Sequence, residues 1–126
     1  MKYLILIALG GAGGAVSRHL LGSWAHDLWD TRFPIGTLLV NVIGSFAIGV
    51  LFVVIMERAW LHPDWRGVLM VGFLGAFTTF STFSLDTIQM IESGAYWHAA
   101  GYIVASFLTC VLAAGLAIYL ARALLL

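Results

Sequence analysis

The sequence predicts an all-α membrane protein with four transmembrane helices. The chain has 126 residues, of which 62% are hydrophobic and only 10% are charged, and its mean hydropathy is +1.02. Soluble proteins carry about 25% charged residues, because polar groups must cover a surface that faces water. The few charged residues separate four apolar stretches, each close to the roughly 20 residues that a helix needs to cross a bilayer. The expected solvent is therefore lipid.

The predicted spans cover about residues 3–24, 35–56, 67–91 and 98–121. Tryptophan is enriched where a membrane meets water. All five tryptophans lie at the ends of these stretches or in the loops between them: Trp24, Trp29, Trp60, Trp65 and Trp97. Because the loops are too short to hold another domain, residues 1–126 are predicted to form a single four-helix domain.

The first stretch is predicted to be a true span rather than a cleaved signal peptide. Its apolar run begins after Lys2, continues through a glycine cluster to Val16, and is not followed by a convincing small-x-small cleavage site. Gly10 and Gly14 have the spacing that permits close contact between transmembrane helices. We expect this face to pack closely against another helix and to have no catalytic or binding role.

Polar residues recur at helical spacing in the second and fourth stretches. The second stretch carries Thr37, Asn41 and Ser45, and the fourth carries Tyr102, Ser106 and Cys110. Residues four apart share one face of a helix. The structural interpretation of such hydroxyls is that they hydrogen-bond between helices. For Asn41, whose amide is harder to satisfy in hydrocarbon, structural and functional interpretations stay equally open.

The third stretch contains a poor helix interior, with four hydroxyl residues between Thr78 and Thr82. Hydroxyl side chains compete for backbone hydrogen bonds, and β-branched threonines crowd a helix. A break at mid-membrane is therefore predicted near residues 78–82. Unwound backbone at that depth requires burial in protein or a water-filled path, and broken helices offer amides to anions and carbonyls to cations. We interpret the break as an ion site.

Phe80 and Phe83 lie on either side of hydroxyl residues in this segment. A phenylalanine pair at this spacing ordinarily packs in a core or against lipid. An aromatic ring has a positive edge, however, and ring edges directed into a polar channel stabilise a small anion. The neighbouring hydroxyls favour this second interpretation.

Two charges lie inside the predicted spans, Arg18 in the first and Asp86 in the third. Each is about 9 Å from its helix end at 1.5 Å rise per residue, and the two spans run in the same direction. Their similar depth allows either a structural ion pair or a shared water-filled vestibule.

Several functions are disfavoured by composition. Six basic and six acidic residues give no net charge, which argues against a nucleic-acid partner. Cys110 is the single cysteine and can form no intrachain disulfide. The sequence has no nucleotide-binding loop motif and no histidine clearly at mid-span, so an enzyme is disfavoured. Basic residues are distributed unequally between the two predicted membrane sides. Four of them, Lys2, Arg58, Arg66 and Arg122, lie on the side of the N-terminus, and Arg32 lies on the other. Because cytoplasmic loops carry an excess of lysine and arginine, the N-terminus is expected to lie inside.

These motifs together resemble the Fluc (CrcB) family of fluoride ion channels along essentially the whole chain. Three segments carry the resemblance in order and spacing: the glycine cluster from Gly10 to Arg18, Gly36-Thr37-Leu-Leu-Val-Asn41, and the run from Gly72 to Ser84. The chain departs from the usual family pattern conservatively, at Ala76, Asp86 and Cys110.

The resemblance implies a passive, fluoride-selective channel in the bacterial plasma (inner) membrane that lowers cytoplasmic fluoride. It implies a dual-topology homodimer of antiparallel subunits with two pathways along their interface. Phe80 and Phe83 would direct ring edges at fluoride beside the Asn41 amide, and a polar track would follow over Thr37, Thr79, Ser81, Thr82, Ser84, Tyr102 and Ser106. It also implies a structural sodium ion, not transported, held by main-chain carbonyls of Gly75 and Thr78.

Two alternatives remain at this stage. Small proton-coupled multidrug exporters also have four spans, but they resemble one another in needing a first-span glutamate, whereas the predicted first span has Arg18 as its only charge. A non-transporting membrane anchor subunit is the other alternative.

The four-to-one bias of basic residues is at odds with dual insertion.

Overall fold

A computed structural model describes residues 1–29 and 33–125 of the chain. Within these ranges the backbone forms helices and loops and no β-strand. Arg32, the one basic residue expected opposite the others, lies outside the described residues.

In the described part of the chain, four helices are long and apolar enough to cross a membrane. They are the first span (Lys2–Leu28), the second span (Ile35–Glu57), the third span (Arg66–Glu92) and the fourth span (Tyr96–Leu124). The predicted all-α architecture with four candidate spans is confirmed. Each helix is longer than its apolar stretch, because residues such as His26 and Asp27 are polar without breaking a helix.

The second and third spans change their winding along their length. The second span is α-helical over Ile35–Leu51 and π-helical over Phe52–Glu57. The third begins with π-helical turns over Arg66–Leu74, followed by an α-helical turn at Gly75–Phe77 and an α-helix at Phe80–Glu92. Two residues with extended backbone, Thr78 (φ −84°, ψ 156°) and Thr79 (φ −148°, ψ 115°), separate the last two segments.

Glycines bring the first and third spans into direct backbone contact. A Cβ at Gly10 would lie 2.0 Å from the Val68 carbonyl oxygen, and one at Gly14 would lie 2.0 Å from the Phe73 carbonyl oxygen. No side chain fits at these distances. The glycine spacing of the first span therefore holds the first half of the third span at a fixed distance.

Two other helix pairs also meet at small residues. A Cβ at Gly49 would lie 2.6 Å from the Ala114 carbonyl oxygen, which places the second span against the fourth. Gly36 approaches Gly22 in the same way near the opposite end. Two small buried clusters fill the remaining space, Phe83, Met90, Ala99 and Tyr102 in one, and Val40, Leu74 and Phe77 in the other.

Many large apolar side chains remain on the outside of this bundle. Leu4, Leu20, Val104, Leu112 and Tyr119 are all more than half exposed. Exposed apolar area of this extent requires an apolar environment, since water penalises it by about 25 cal/mol per Å². The surface therefore fits lipid or a second protein surface.

Substituting Gly14 by alanine should destabilise the subunit, while the same substitution at Gly22 should not. The Cβ of alanine at position 14 would meet the Phe73 backbone at 2.0 Å, whereas nothing lies within 4 Å of one at position 22. We expect Gly14→Ala to lower the free energy of unfolding by about 2 kcal/mol or more. Gly22→Ala should be neutral or stabilising by up to about 1 kcal/mol, because alanine favours helix. Thermal unfolding of both variants in the same detergent measures the difference, and equal midpoints would contradict direct backbone contact at Gly14.

Candidate functional site

The extended segment of the third span is held by one side chain of the second. The Asn41 Nδ2 atom donates to the Thr79 carbonyl oxygen at 3.0 Å, and Asn41 Oδ1 accepts from the Thr79 amide at 2.7 Å. A single amide group thus satisfies both backbone groups of the residue where the helix is interrupted. An unpaired backbone group inside a bilayer costs several kcal/mol. By pairing both groups of Thr79, the Asn41 side chain removes this cost at the interruption.

The helix after the interruption begins with a threonine cap. The Thr79 hydroxyl accepts from the Thr82 amide at 3.2 Å, which is the usual role of threonine at a helix start. The same hydroxyl lies 3.0 Å from Thr82 Oγ1 and 3.3 Å from Ser81 Oγ. Ser84 Oγ donates to the Phe80 carbonyl oxygen at 3.0 Å. The predicted hydroxyls of the third span are therefore gathered at the start of the helix that follows the interruption, whereas Thr37, Tyr102 and Ser106 lie on other spans.

These contacts leave two carbonyl groups without their ordinary helical donors. In a continuous helix the Thr79 amide would donate to the Gly75 carbonyl, and the Thr82 amide to the Thr78 carbonyl. Here the Thr79 amide donates to Asn41 and the Thr82 amide donates to the Thr79 hydroxyl. The carbonyls of Gly75 and Thr78 thus lose these donors at the interruption.

The two phenylalanines of the segment differ in exposure. Phe80 is 70% exposed on the surface of the bundle, whereas Phe83 is only 8% exposed. Their ring centroids lie 5.4 Å apart, and the Phe83 ring makes an edge-to-face contact with Phe107 at 6.0 Å. Phe83 is thus fixed by its neighbours, and Phe80 is the aromatic ring presented outward.

A groove on the surface of the bundle runs beside these residues. It has a volume of about 370 Å³, and its walls come from the second, third and fourth spans. The polar residues along it are Asn41, Ser45, Thr78, Thr79, Ser106 and Cys110. The structure thereby brings Asn41, Phe80, Phe83 and Ser106 together.

Ser106 is a buried hydroxyl in this groove with no hydrogen-bond partner in the described ranges. Its side chain is 8% exposed, and its Oγ atom makes no hydrogen bond with any described residue. A buried hydroxyl without a partner costs about 1–3 kcal/mol. Its hydrogen is therefore available to a ligand or to another molecule that covers the groove.

Tyr102 and Asp86 form a second polar contact, toward the end of the subunit that carries the first loop. The Tyr102 hydroxyl donates to Asp86 Oδ2 at 3.1 Å, and the tyrosine is completely buried. Asp86 also borders a cavity of about 440 Å³ together with Gln89 and His98. Sequence reasoning did not single out Gln89 or His98 as neighbours of Asp86.

Arg18 lies apart from Asp86. It borders a cavity of about 220 Å³ with Thr37, Thr79 and Thr82, and its Nε atom is buried without a described partner. Among the described residues no ion pair joins Arg18 to Asp86, which instead accepts from Tyr102. These two described side chains therefore do not pair with each other, since Asp86 meets the fourth span and Arg18 borders a cavity with the second and third spans. Both residues nonetheless border polar cavities.

Gly44 is a site residue that sequence reasoning missed. A Cβ at this position would lie 2.2 Å from Thr78 Cγ2, so any larger residue would force the Thr78 side chain or one of the two helices to move. The signal was present in the sequence, since Gly44 is three residues from Asn41 and shares its face.

The chain was compared with known protein families and curated proteins. The profile of the family described as "CrcB-like protein, Camphor Resistance (CrcB)" matches residues 5–118. A protein named fluoride-specific ion channel FluC from Hahella chejuensis is 44% identical over 99% of this chain and 98% of its own. Proteins of the same name are 46% identical in Saccharophagus degradans, over 95% of this chain and 90% of theirs, and 47% identical in Solibacter usitatus, over 84% and 86%.

Replacing Asn41 by aspartate should loosen the interruption although the side-chain shape is kept. A carboxylate still accepts from the Thr79 amide, but it cannot donate to the Thr79 carbonyl and instead repels it. We expect Asn41→Asp to lower the free energy of unfolding by about 1–3 kcal/mol and to speed amide hydrogen exchange at Thr79. Ser45→Ala, one turn along the same groove, is the matched control and should change stability by less than about 0.5 kcal/mol. Equal exchange rates at Thr79 in Asn41→Asp and the wild type would contradict the role given to Asn41.

Proposed function

The chain belongs to the CrcB-like protein family, and on that premise we propose that it is a passive fluoride-selective channel that lowers cytoplasmic fluoride across the bacterial inner membrane. The observation that carries the proposal is the interrupted third span, where hydroxyls, a partnerless buried donor and phenylalanine rings border one groove. The names of relatives that match nearly the whole chain support it. They do not favour the exporter or the anchor subunit.

A fluoride pathway needs donors that replace part of the ion's hydration shell. Ser106 offers a hydroxyl hydrogen that no described residue uses. The Asn41 amide nitrogen carries two hydrogens, of which the contact with Thr79 uses one. Thr79, Ser81, Thr82 and Ser84 add rotatable hydroxyls beside them, and Thr37 and Tyr102 continue toward Asp86. Neutral donors of this kind attract an anion without holding it as tightly as a lysine or arginine would.

The phenylalanines would supply the weakest and most selective contacts. A ring edge carries partial positive charge, and a small anion approaches it more closely than a large one does. Phe80 presents its ring at the groove, while Phe83 is fixed by Phe107 and Tyr102. Chloride, being larger and easier to dehydrate, would gain less from these fixed contacts.

Assembly as a homodimer would convert the open groove into a pathway. One subunit leaves the groove open and Phe80 70% exposed, so a second copy is needed to enclose the ion. We propose antiparallel insertion of the two copies, as in the family that the chain resembles, with one pathway along each side of the interface. The clustering of Lys2, Arg58, Arg66 and Arg122 at one end opposes equal insertion of both orientations, so a topology measurement decides this part of the proposal.

A structural sodium ion fits the donor set at the interruption. The Gly75 and Thr78 carbonyls have lost their ordinary amide donors, and carbonyl oxygens are ligands for hard cations. Two copies of the chain would present four such oxygens. When bound, sodium would supply positive charge that binds the two interruptions together, and it would not be transported.

Efflux from liposomes tests the proposed activity. Purified protein is reconstituted in vesicles loaded with potassium fluoride, a potassium ionophore is added, and external fluoride is followed with an electrode beside a parallel chloride experiment. Rapid fluoride efflux with negligible chloride efflux is expected. Folded, sodium-containing protein that releases no fluoride would overturn the channel proposal.

Substituting the site phenylalanines should lower the fluoride rate without unfolding the protein. Phe80→Ile and Phe83→Ile keep apolar volume but remove the ring edge, so we expect at least about a tenfold slower efflux, equivalent to 1.4 kcal/mol of barrier. Phe46→Ile, in the second span and away from the groove, is the control and should retain the wild-type rate. Unchanged efflux in both site variants would remove the ring-edge mechanism.

Sodium removal should destabilise the assembled protein. Replacing sodium chloride by N-methylglucamine chloride at equal ionic strength keeps screening constant and removes only the proposed ligand. At a sodium concentration one hundred times its Kd, the lost stabilisation would be about 2.7 kcal/mol, visible as a lower midpoint of thermal unfolding. A midpoint that does not depend on sodium between micromolar and molar concentrations would contradict the site.

A further inference from the structure

We propose that the end of the bundle that carries Lys2, Arg66 and Arg122 binds an anionic phospholipid, with its phosphate at Arg66. A cleft of about 800 Å³ opens there between the start of the first span, the end of the second span and the loop that joins the second to the third. Its lining includes Tyr3, Met56, Trp60, Leu61, His62 and Arg66. The cleft is separate from the groove of the proposed channel.

Two of the four basic side chains at this end are already neutralised by ion pairs. Lys2 Nζ lies 3.0 Å from Asp64 Oδ2, and Arg122 binds Glu57 through both Nε, at 3.0 Å, and an amino group. The hydrogen bond from the Lys2 ammonium lowers the pKa of the Asp64 carboxyl below its usual value, so Asp64 stays ionised and paired with Lys2. Asp64 and Glu57 are therefore already paired with Lys2 and Arg122.

Arg66 is the basic side chain that lines the cleft and takes part in no ion pair among the described residues, whereas Arg58 is not part of the cleft lining. Arg66 is exposed. Arg58 has only an electrostatic contact with Glu57, whose carboxylate Arg122 already binds. A guanidinium presents parallel donors that match a phosphate in two-point contact. The charge of the cleft is thus complementary to a phosphate.

The walls of the cleft distinguish a lipid from a free anion. Beside Arg66 they are largely apolar, with Tyr3, Ile55, Met56 and Leu61. Trp60, 55% exposed in the same cleft, is of the residue type that marks the headgroup level of a membrane. A phosphate alone would contact only the arginine, whereas a phospholipid also covers the apolar wall with its acyl chain. Basic pockets between transmembrane helices are known to bind anionic headgroups.

The loop that forms one side of the cleft is held in place before any ligand binds. Ala59 adopts a left-handed conformation at φ 51°, and the amide of Trp60 donates to the Val54 carbonyl oxygen at 3.0 Å. Asp64 donates its amide to His62 Nδ1 at 3.2 Å on the other side of the turn. A preformed cleft binds its ligand with less loss of conformational entropy.

Native mass spectrometry of the purified full-length protein tests the site with phosphatidylglycerol, phosphatidylcholine and inorganic phosphate as probes. We expect saturable retention of one phosphatidylglycerol per chain, and little retention of the other two. Arg66→Gln should weaken phosphatidylglycerol binding about fivefold, and Arg66→Lys should restore part of it.

Lys2→Gln is the matched control, because it removes one positive charge from the same end but from a residue already paired with Asp64. It should bind phosphatidylglycerol as the wild type does. Equal losses in Lys2→Gln and Arg66→Gln would overturn the site in favour of general surface charge. Retention of inorganic phosphate would assign the cleft to a free anion. If Arg66→Gln does not fold, unsaturable wild-type binding beyond one lipid per chain would still overturn the proposal.

Discussion

The pair of hydrogen bonds between Asn41 and Thr79 is the interaction on which the site depends. A helix interrupted inside a bilayer must satisfy its backbone groups within the protein, because lipid supplies neither donors nor acceptors. Asn41 meets both groups of Thr79, and the Thr79 hydroxyl meets the amide of Thr82. With these contacts in place, the carbonyls of Gly75 and Thr78 lose their ordinary helical donors without leaving the Thr79 and Thr82 amides unpaired.

The bundle around this contact is set by glycines rather than by a large core. Gly10 and Gly14 fix the first half of the third span against the first span, and Gly44 admits Thr78 beside the second. Backbone surfaces in direct contact leave little freedom to slide, so the interruption is held in register with Asn41. The apolar side chains left outside are then free to face lipid or another subunit, which is how a chain with few buried residues holds a defined polar site.

Hydropathy and charge spacing were enough to predict four helices, since the cost of burying charge in lipid acts on every residue of a span. Helical periodicity likewise grouped Asn41 with Ser45 and Ser106 with Cys110. Contacts between helices were less predictable, because they depend on how each helix is rotated about its axis. Arg18 and Asp86 were predicted to lie at similar depth in the membrane, yet they border separate cavities. The carboxylate of Asp86 meets Tyr102, a partner that depth alone did not single out.

The contact between Asn41 and Thr79 joins residues 38 positions apart, with the asparagine first in the chain. The second span therefore leaves the ribosome and enters the membrane before the interrupted span does. When the third span follows, the amide that satisfies its exposed backbone is already in the bilayer. The reverse order would leave an unsatisfied peptide group in hydrocarbon until synthesis of a later helix. The order of the helices along the chain thus shortens the time for which the defect is unprotected during biogenesis.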